Sequence, residues 1–264
     1  SRIQVWNTGW DSWNGKVAVA SRCFSVVTGH SGMGKTLFTA QLWFQVAQRY
    51  DLKVLVMTME TEPKPEYQRI LRTLHSGHRE AVMTAEQIDA ADQFIVDHYW
   101  WLEHPEHRPD VGWILDRAEV VVVREKVKII LIDPWNRLEQ LRLPREMEYE
   151  YITRCLREVH DFAKTFDVHF QIIAHPSKMD GSMKGKPPDL DNIAGSRVWE
   201  TIPDQGFIVH RPKLYDEKGR RTEAQIIHRK ARRPILGYDC KLDLVFDVAT
   251  GRYIDAPAVG GLIS

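Results

Sequence analysis

The stretch Phe24-Ser25-Val26-Val27-Thr28-Gly29-His30-Ser31-Gly32-Met33-Gly34-Lys35-Thr36-Leu37 decides the fold. From Gly29 to Thr36 it satisfies the pattern GxxxxGK(S/T) at every fixed position. Chance supplies such a match in about one chain in a hundred of this length. Its setting strengthens it, because a β-branched apolar run precedes it and an amphipathic helical pattern follows. Chemistry requires that order. Glycines let backbone N–H groups turn inward around phosphate oxygens, and the first turn of a helix adds positive potential. The segment therefore predicts a nucleoside triphosphate cradle made of Gly29, His30, Ser31, Gly32, Met33, Gly34, Lys35 and Thr36. Lys35 is placed to reach the β- and γ-phosphates, and Thr36 to hold Mg²⁺.

Working outward, short apolar segments recur between helical ones. Phe24–Thr28, Lys53–Thr58, Val127–Asp133 and Val168–Ala174 read as buried strands, since strands covered on both faces are apolar throughout. Thr36–Tyr50 and Tyr149–Phe166 repeat their apolar residues at three- and four-residue steps, as amphipathic helices do. Alternating strands and helices predict an α/β fold with a mostly parallel, twisted sheet flanked by helices. After residue 203 the pattern becomes Gly206–His210, Ala224–Arg229 and Leu242–Asp247, with turn residues at 216–219. This predicts an antiparallel C-terminal edge. No Gly/Ser/Pro linker divides residues 1–264, so one domain is expected, with residues 1–20 as a lead-in. Thr84–Trp113 reads as a helical, acidic layer over the sheet, and its Tyr99-Trp100-Trp101 cluster as core packing in preference to a base-stacking platform.

Three further positions carry chemistry. Lys128-Ile129-Ile130-Leu131-Ile132-Asp133 ends an apolar strand in a carboxylate, the second Mg²⁺ anchor that a phosphate loop requires. Pro134 follows, so no carboxylate stands beside Asp133 to activate water. Met57-Thr58-Met59-Glu60 runs from a strand straight into an acidic turn, which makes Glu60 the expected general base and Glu62 its reserve. Ile172-Ile173-Ala174-His175 ends a fourth strand in a group able to touch the γ-phosphate and relay its presence.

The stretch 177–192 holds two glycines, two prolines, three lysines and three aspartates. A loop of that length inside a domain is usually functional or disordered. The net charge is zero but unevenly spread. Residues 51–110 hold twelve acidic against six basic residues, and residues 211–233 nine basic against three acidic. A segregated basic stretch suits a polyanion. No apolar run approaches the ~18 residues of a membrane span, and the start Ser1–Trp10 has no signal-peptide character. Three cysteines (Cys23, Cys155, Cys240) without paired spacing exclude a disulfide framework and suit a reducing compartment, cytoplasmic or mitochondrial matrix and not secreted. The absence of an initial Met is expected of a processed or excised piece.

In order and spacing these elements resemble the helicase core of the DnaB/Twinkle family of RecA-fold hexameric ATPases, which includes phage primase-helicases. The resemblance spans roughly residues 5–253. It rests on the phosphate loop, on Met57–Pro63, Ile129–Leu138 and Ile172–Lys178, on Asn192-Ile-Ala-Gly195-Ser196-Arg197…Asp204, and on Arg229-Lys230-Ala231-Arg232-Arg233…Gly237. It implies a RecA-like phosphate-loop NTPase that binds ATP or another NTP with Mg²⁺, assembles as a homo-oligomer, expected to be a hexamer, and moves 5′→3′ on single-stranded DNA during replication. It makes Arg232 an arginine finger entering the neighbouring subunit's nucleotide site, with Lys230 beside it and Arg233 as the alternative. A basic surface run, or direct contact with nucleic-acid phosphates, is the other use of Arg229–Arg233. It places Lys178, Lys184 and Lys186 in a DNA-binding loop, 177–192, that would follow the strand backbone without base preference. It also implies a primase or other N-terminal domain upstream in the full-length chain. Thr201 stands where the family places a glutamine. The competing classes are a RecA- or KaiC-like DNA-dependent ATPase without unwinding activity and a phosphate-loop small-molecule kinase.

Overall fold

The computed structural model describes residues 2–59, 63–103, 108–177, 185–193, 197–214 and 222–257. The chain opens with a small antiparallel ribbon, β1 (Val5–Asn7) against β2 (Ala18–Ala20). Between these strands Trp10 and Trp13 are buried, their ring centroids 5.8 and 6.0 Å from that of Phe38. The lead-in thus packs on the helix that follows the phosphate loop. Then come β3 (Cys23–Thr28), α1 (Lys35–Tyr50), β4 (Val54–Thr58), α2 (Gln68–Ser76), α3 (Ala85–His98), β5 (Tyr99–Trp101), α4 (Val111–Glu125), β6 (Ile129–Asp133), α5 (Glu148–Thr165) and β7 (His169–Ile173). The short helix α6 (Val198–Thr201) leads into β8 (Gln205–His210), β9 (Glu223–Ala231), β10 (Cys240–Asp247) and β11 (Arg252–Asp255).

Among the described residues these strands form a nine-stranded sheet in the order β11-β10-β9-β8-β3-β7-β6-β4-β5. From β8 to β5 every pairing is parallel, and from β8 to β11 every pairing is antiparallel. Alternation along each strand feeds two cores. Val27, Val54, Val56 and Leu131 join the cluster with α1, α2 and α3, whereas Val26, Leu55, Met57 and Ile132 join that with α4 and α5. Burial on both faces is why the central strands read as mostly apolar runs. No helix among the described residues is long and apolar enough to cross a membrane.

Three features differ from expectation. The segment 84–113 is not helical throughout. Tyr99–Trp101 breaks it as a parallel edge strand on β4, because two tryptophans and a tyrosine suit a half-buried pleat. Trp101 packs edge-on to Tyr67 at 5.6 Å, and Lys53 lies 4.6 Å over Trp100, so the cluster serves packing. The antiparallel C-terminal edge is present as expected but carries one further strand, β11, anchored when Gln41 of α1 donates to Tyr253 O (2.7 Å) and accepts from its N–H (2.7 Å). The stretch 177–192 is also not wholly without structure. Its end forms a 3-10 turn, Leu190–Asn192, with Leu190 fully buried. The turn residues 216–219 lie outside the described residues.

A buried polar chain crosses the centre of the sheet. Trp43 Nε1 donates to Gln171 Oε1 (2.8 Å), and Gln171 Nε2 donates to Ser25 Oγ (2.8 Å). Ser25 Oγ lies 2.7 Å from His169 Nε2, and His169 Nδ1 lies 2.8 Å from Ala20 O. A carbonyl only accepts, so Nδ1 carries the proton and Nε2 accepts from the Ser25 hydroxyl. Burial pushes the His169 pKa down to about 4, outweighing the hydrogen bond to Ala20 O and the Asp204 charge, which both raise it.

Candidate functional site

β3 delivers Gly29 at the sheet's C-terminal edge, and the loop turns at once into α1. Gly29 (φ +150°) and Gly34 (φ +87°) hold backbone angles that favour glycine. A Cβ at Gly29 would lie 2.4 Å from Val209 O, and one at Gly34 2.4 Å from the Tyr253 hydroxyl. The loop is therefore pressed between β8 and β11, and its width is set by the absence of side chains at these two points. Lys35 Nζ folds back over the loop and donates to Gly29 O (2.9 Å) and His30 O (3.0 Å).

Thr36 Oγ1 donates to Asp133 Oδ2 at 2.6 Å, and Asp133 is only 7% exposed. A hydroxyl at a helix start against a carboxylate at a strand end is a hard-oxygen pair suited to Mg²⁺, which keeps most of its other ligands as water and phosphate. Such a site needs no three-residue cluster of acids or histidines, and none that could hold a metal occurs among the described residues. Next to Asp133, Met59 N–H donates to Asp133 O (2.9 Å), extending the β4–β6 pairing past Thr58. Glu60 and Glu62 follow directly and lie outside the described residues.

β7 lies between β3 and β6, so His175, two residues past its end, emerges between the phosphate loop and Asp133. The His175 N–H donates to Asn136 Oδ1 (2.7 Å), and Asn136 sits in the turn after Asp133. Asn136 thereby ties the two strand ends together. It was not foreseen, although its place three residues past the strand-ending aspartate was the available signal. Also unforeseen is a cleft of about 600 Å³ beside the start of α1, lined by Leu37, Arg69, Ile70, Thr73, Arg79 and Phe246. The Arg211 guanidinium lies 5.9 Å from the Phe246 ring centroid. An aromatic face with a cation, on a cleft that Leu37 next to the phosphate cradle also lines, is chemistry suited to a nucleobase.

The structure brings Lys35, Thr36, Asp133 and His175 to one edge of the sheet, but it does not bring Arg232 or Lys230 there. β9 runs antiparallel to β8 and ends opposite Gln205, which is level with Ser25 at the start of β3. The Arg232 N–H donates to Asp204 O (2.9 Å), and the Asp204 N–H donates to Phe24 O (2.7 Å). The length of β3 therefore separates Arg232 from the loop at Gly29, roughly 17 Å at the usual rise per residue. The side chains of Lys230 and Arg232 both donate to Thr201 O, at the end of α6. Burial, then the neighbouring Arg232 charge, press Lys230 down to about 8. Beneath them Asp204 is fully buried. Burial raises its pKa, but hydrogen bonds from His160 Nε2 (2.9 Å) and Phe24 N–H (3.0 Å) outweigh that and hold the carboxyl below its ordinary range.

Of the loop lysines, Lys186 is exposed, and its carbonyl accepts from His30 Nε2 at 3.2 Å. Lys178, Lys184, Gly195 and Ser196 lie outside the described residues.

A mostly parallel sheet carrying a glycine loop, a lysine, a threonine and a strand-end aspartate at one edge defines a RecA-like phosphate-loop fold. A family model described as the DnaB-like helicase C terminal domain matches residues 18–255, and the chain belongs to that family. It is 27% identical over 266 residues to the Arabidopsis thaliana "Twinkle homolog protein, chloroplastic/mitochondrial", an alignment covering 97% of this chain and 37% of that protein. The chain thus spans well under half of that relative's length. Among solved structures it is similar to one described as an ATPase domain (TM-score 0.74, 18% identity, 90% of this chain and 86% of that one). It is also similar to a DnaB-like replicative helicase studied with its interactions with primase (TM-score 0.77, 18% identity, 95% and 62%).

Proposed function

We propose that this chain is the motor domain of a replicative DNA helicase, hydrolysing ATP or another NTP at subunit interfaces of a ring, expected to be a hexamer. The motor would move along single-stranded DNA, 5′→3′ as family membership suggests. The observation that carries the hydrolase part is the Thr36–Asp133 contact of 2.6 Å beneath the phosphate loop.

In this reading the loop N–H groups and Lys35 hold the β- and γ-phosphates, while Thr36 and Asp133 hold Mg²⁺. The ion, when bound, neutralises charge on the phosphate oxygens. Glu60 is the proposed base for the attacking water, and His175 the group that meets the γ-phosphate. Phe246 and Arg211 offer a platform for the base. Arg232 lies too far from its own chain's loop to serve it, which favours delivery to a neighbour, where a guanidinium would stabilise the transferring phosphoryl group. Lys178, Lys184 and Lys186 are proposed contacts to the strand backbone. A primase or N-terminal domain upstream fits the shares of the longer relatives that this chain covers. A bacterial cytoplasm or an organelle matrix is the proposed compartment.

The test is NTP turnover with and without single-stranded DNA, followed by strand displacement on a forked duplex. Stimulation with displacement supports the helicase. Stimulation without displacement supports a RecA- or KaiC-like ATPase, and no response to DNA supports a kinase.

A further inference from the structure

Residues 185–193, the end of the long loop, touch three parts of this machinery at once. At one end His30 of the phosphate loop donates to Lys186 O (3.2 Å). In the middle the Ser177 N–H donates to Asn192 O (2.8 Å), and Pro176 bridges to Ile193, which zips the segment to the chain just past His175. At the other end Asp189 grips Arg229 of β9, with Nη2 2.8 Å and Nε 2.9 Å from Oδ2. Leu190 is buried so closely against β8 that a Cβ on Gly206 would lie 2.3 Å from its Cδ1. Arg229 precedes Arg232 by three residues on the strand that presents it.

An exposed ion pair contributes little to folding stability, and both partners here are near half exposed. Its geometry is nevertheless tightly specified. Asp189 Oδ1 also accepts the Leu190 N–H (2.8 Å), while the Asp189 N–H donates to Asn192 Oδ1 (2.7 Å). The same carboxylate thus joins Arg229 to the turn that the buried Leu190 anchors. A displacement of this segment would pull on β9 through that pair.

We propose that residues 185–193 are a coupling strut between the phosphate loop and the finger-bearing strand, with Asp189 and Arg229 as its joint. Through this joint, engagement of a single strand by the loop sets the placement of Arg232 and so the turnover of the neighbouring site. Asp189 and Arg229 are positioning residues, and their role rests on the motor function proposed above.

The test uses the variants Asp189→Asn and Arg229→Gln. Asparagine keeps the oxygen that accepts the Leu190 N–H, so the turn survives. NTP turnover with and without a single-stranded oligonucleotide, oligonucleotide affinity by fluorescence anisotropy and the thermal midpoint are measured on each chain. Each variant should keep basal turnover, affinity and midpoint, and lose about five-fold or more of the stimulation by DNA. The double variant should lose no more than either single one, and Arg229→Lys should recover part of the effect. Wild-type-like stimulation in both single variants overturns the strut while leaving the motor intact. Loss of affinity in step with stimulation overturns it in favour of direct DNA contact. A wild-type chain that DNA does not stimulate removes the motor function itself and the strut with it.

Discussion

Thr36 and Asp133, 97 residues apart in sequence, meet at 2.6 Å where the first turn of α1 faces the end of β6. The hydroxyl is held by the helix that the phosphate loop starts, and the carboxylate by a strand buried on both faces. Both are carried by packed elements, an arrangement that suits the Mg²⁺ role proposed for the pair. Asp133→Asn keeps the shape and an accepting oxygen but removes the charge. Turnover should fall by roughly 10²–10³-fold, the effect of losing several kcal/mol of metal-borne stabilisation, and added Mg²⁺ should restore little. A magnesium titration of turnover checks this, and a variant as active as the parent at low Mg²⁺ contradicts the assignment.

Glu60→Gln separates binding from chemistry. The amide keeps size and hydrogen bonding but cannot take a proton, so nucleotide should bind while turnover drops about 10²–10⁴-fold. Equilibrium binding of a fluorescent nucleotide beside single-turnover hydrolysis reads both. If Glu60→Gln turns over normally and Glu62→Gln does not, the base is Glu62.

His169 predicts a specific sensitivity to acid. Its pKa is pushed from the ordinary 6.5 to about 4 by burial, so as pH falls the unfolded chain takes up the proton first. The stability from keeping it neutral is complete above 6.5 and drains between 6.5 and about 4, amounting to roughly 3 kcal/mol at the lower end. His169→Asn should be less stable at pH 7.5 but lose less on going to acid. Urea midpoints at both ends of the range test this, and parallel losses in parent and variant exclude His169 as the source.

Much of this was legible in the sequence for a simple reason. The phosphate loop is local, and its glycines answer to backbone angles at single positions, such as the φ of +87° at Gly34. The central strands announce themselves because burial on both faces makes β3, β4, β6 and β7 mostly apolar, although Ser25, His169 and Gln171 are buried among them. What escaped depends on distant partners. β11 is held by Gln41, 212 residues earlier, and nothing within Arg252–Asp255 encodes that pairing. β5 is three residues long and follows a helix without a turn signal, so only the open edge of β4 makes it a strand. Phe246 lies on β10 and Arg211 just past the end of β8, and their meeting follows from the antiparallel order of β8 to β10. The location of Arg232 at the far end of the sheet likewise required the register of β9 on β8.

That location leads to the most direct measurement. If Arg232 completes the neighbouring subunit's site, Lys35 and Arg232 belong to different chains at every working interface. Lys35→Ala chains lack the phosphate-binding ammonium, and Arg232→Ala chains lack a transition-state charge worth about 10³–10⁵-fold in comparable phosphoryl transfers. Neither should hydrolyse NTP well alone. Mixed, they form some interfaces with an intact loop and an intact finger, so DNA-stimulated turnover should reappear and rise with protein concentration. Full activity of Arg232→Ala alone, or no recovery in mixtures proven to exchange subunits, would contradict a site shared between chains.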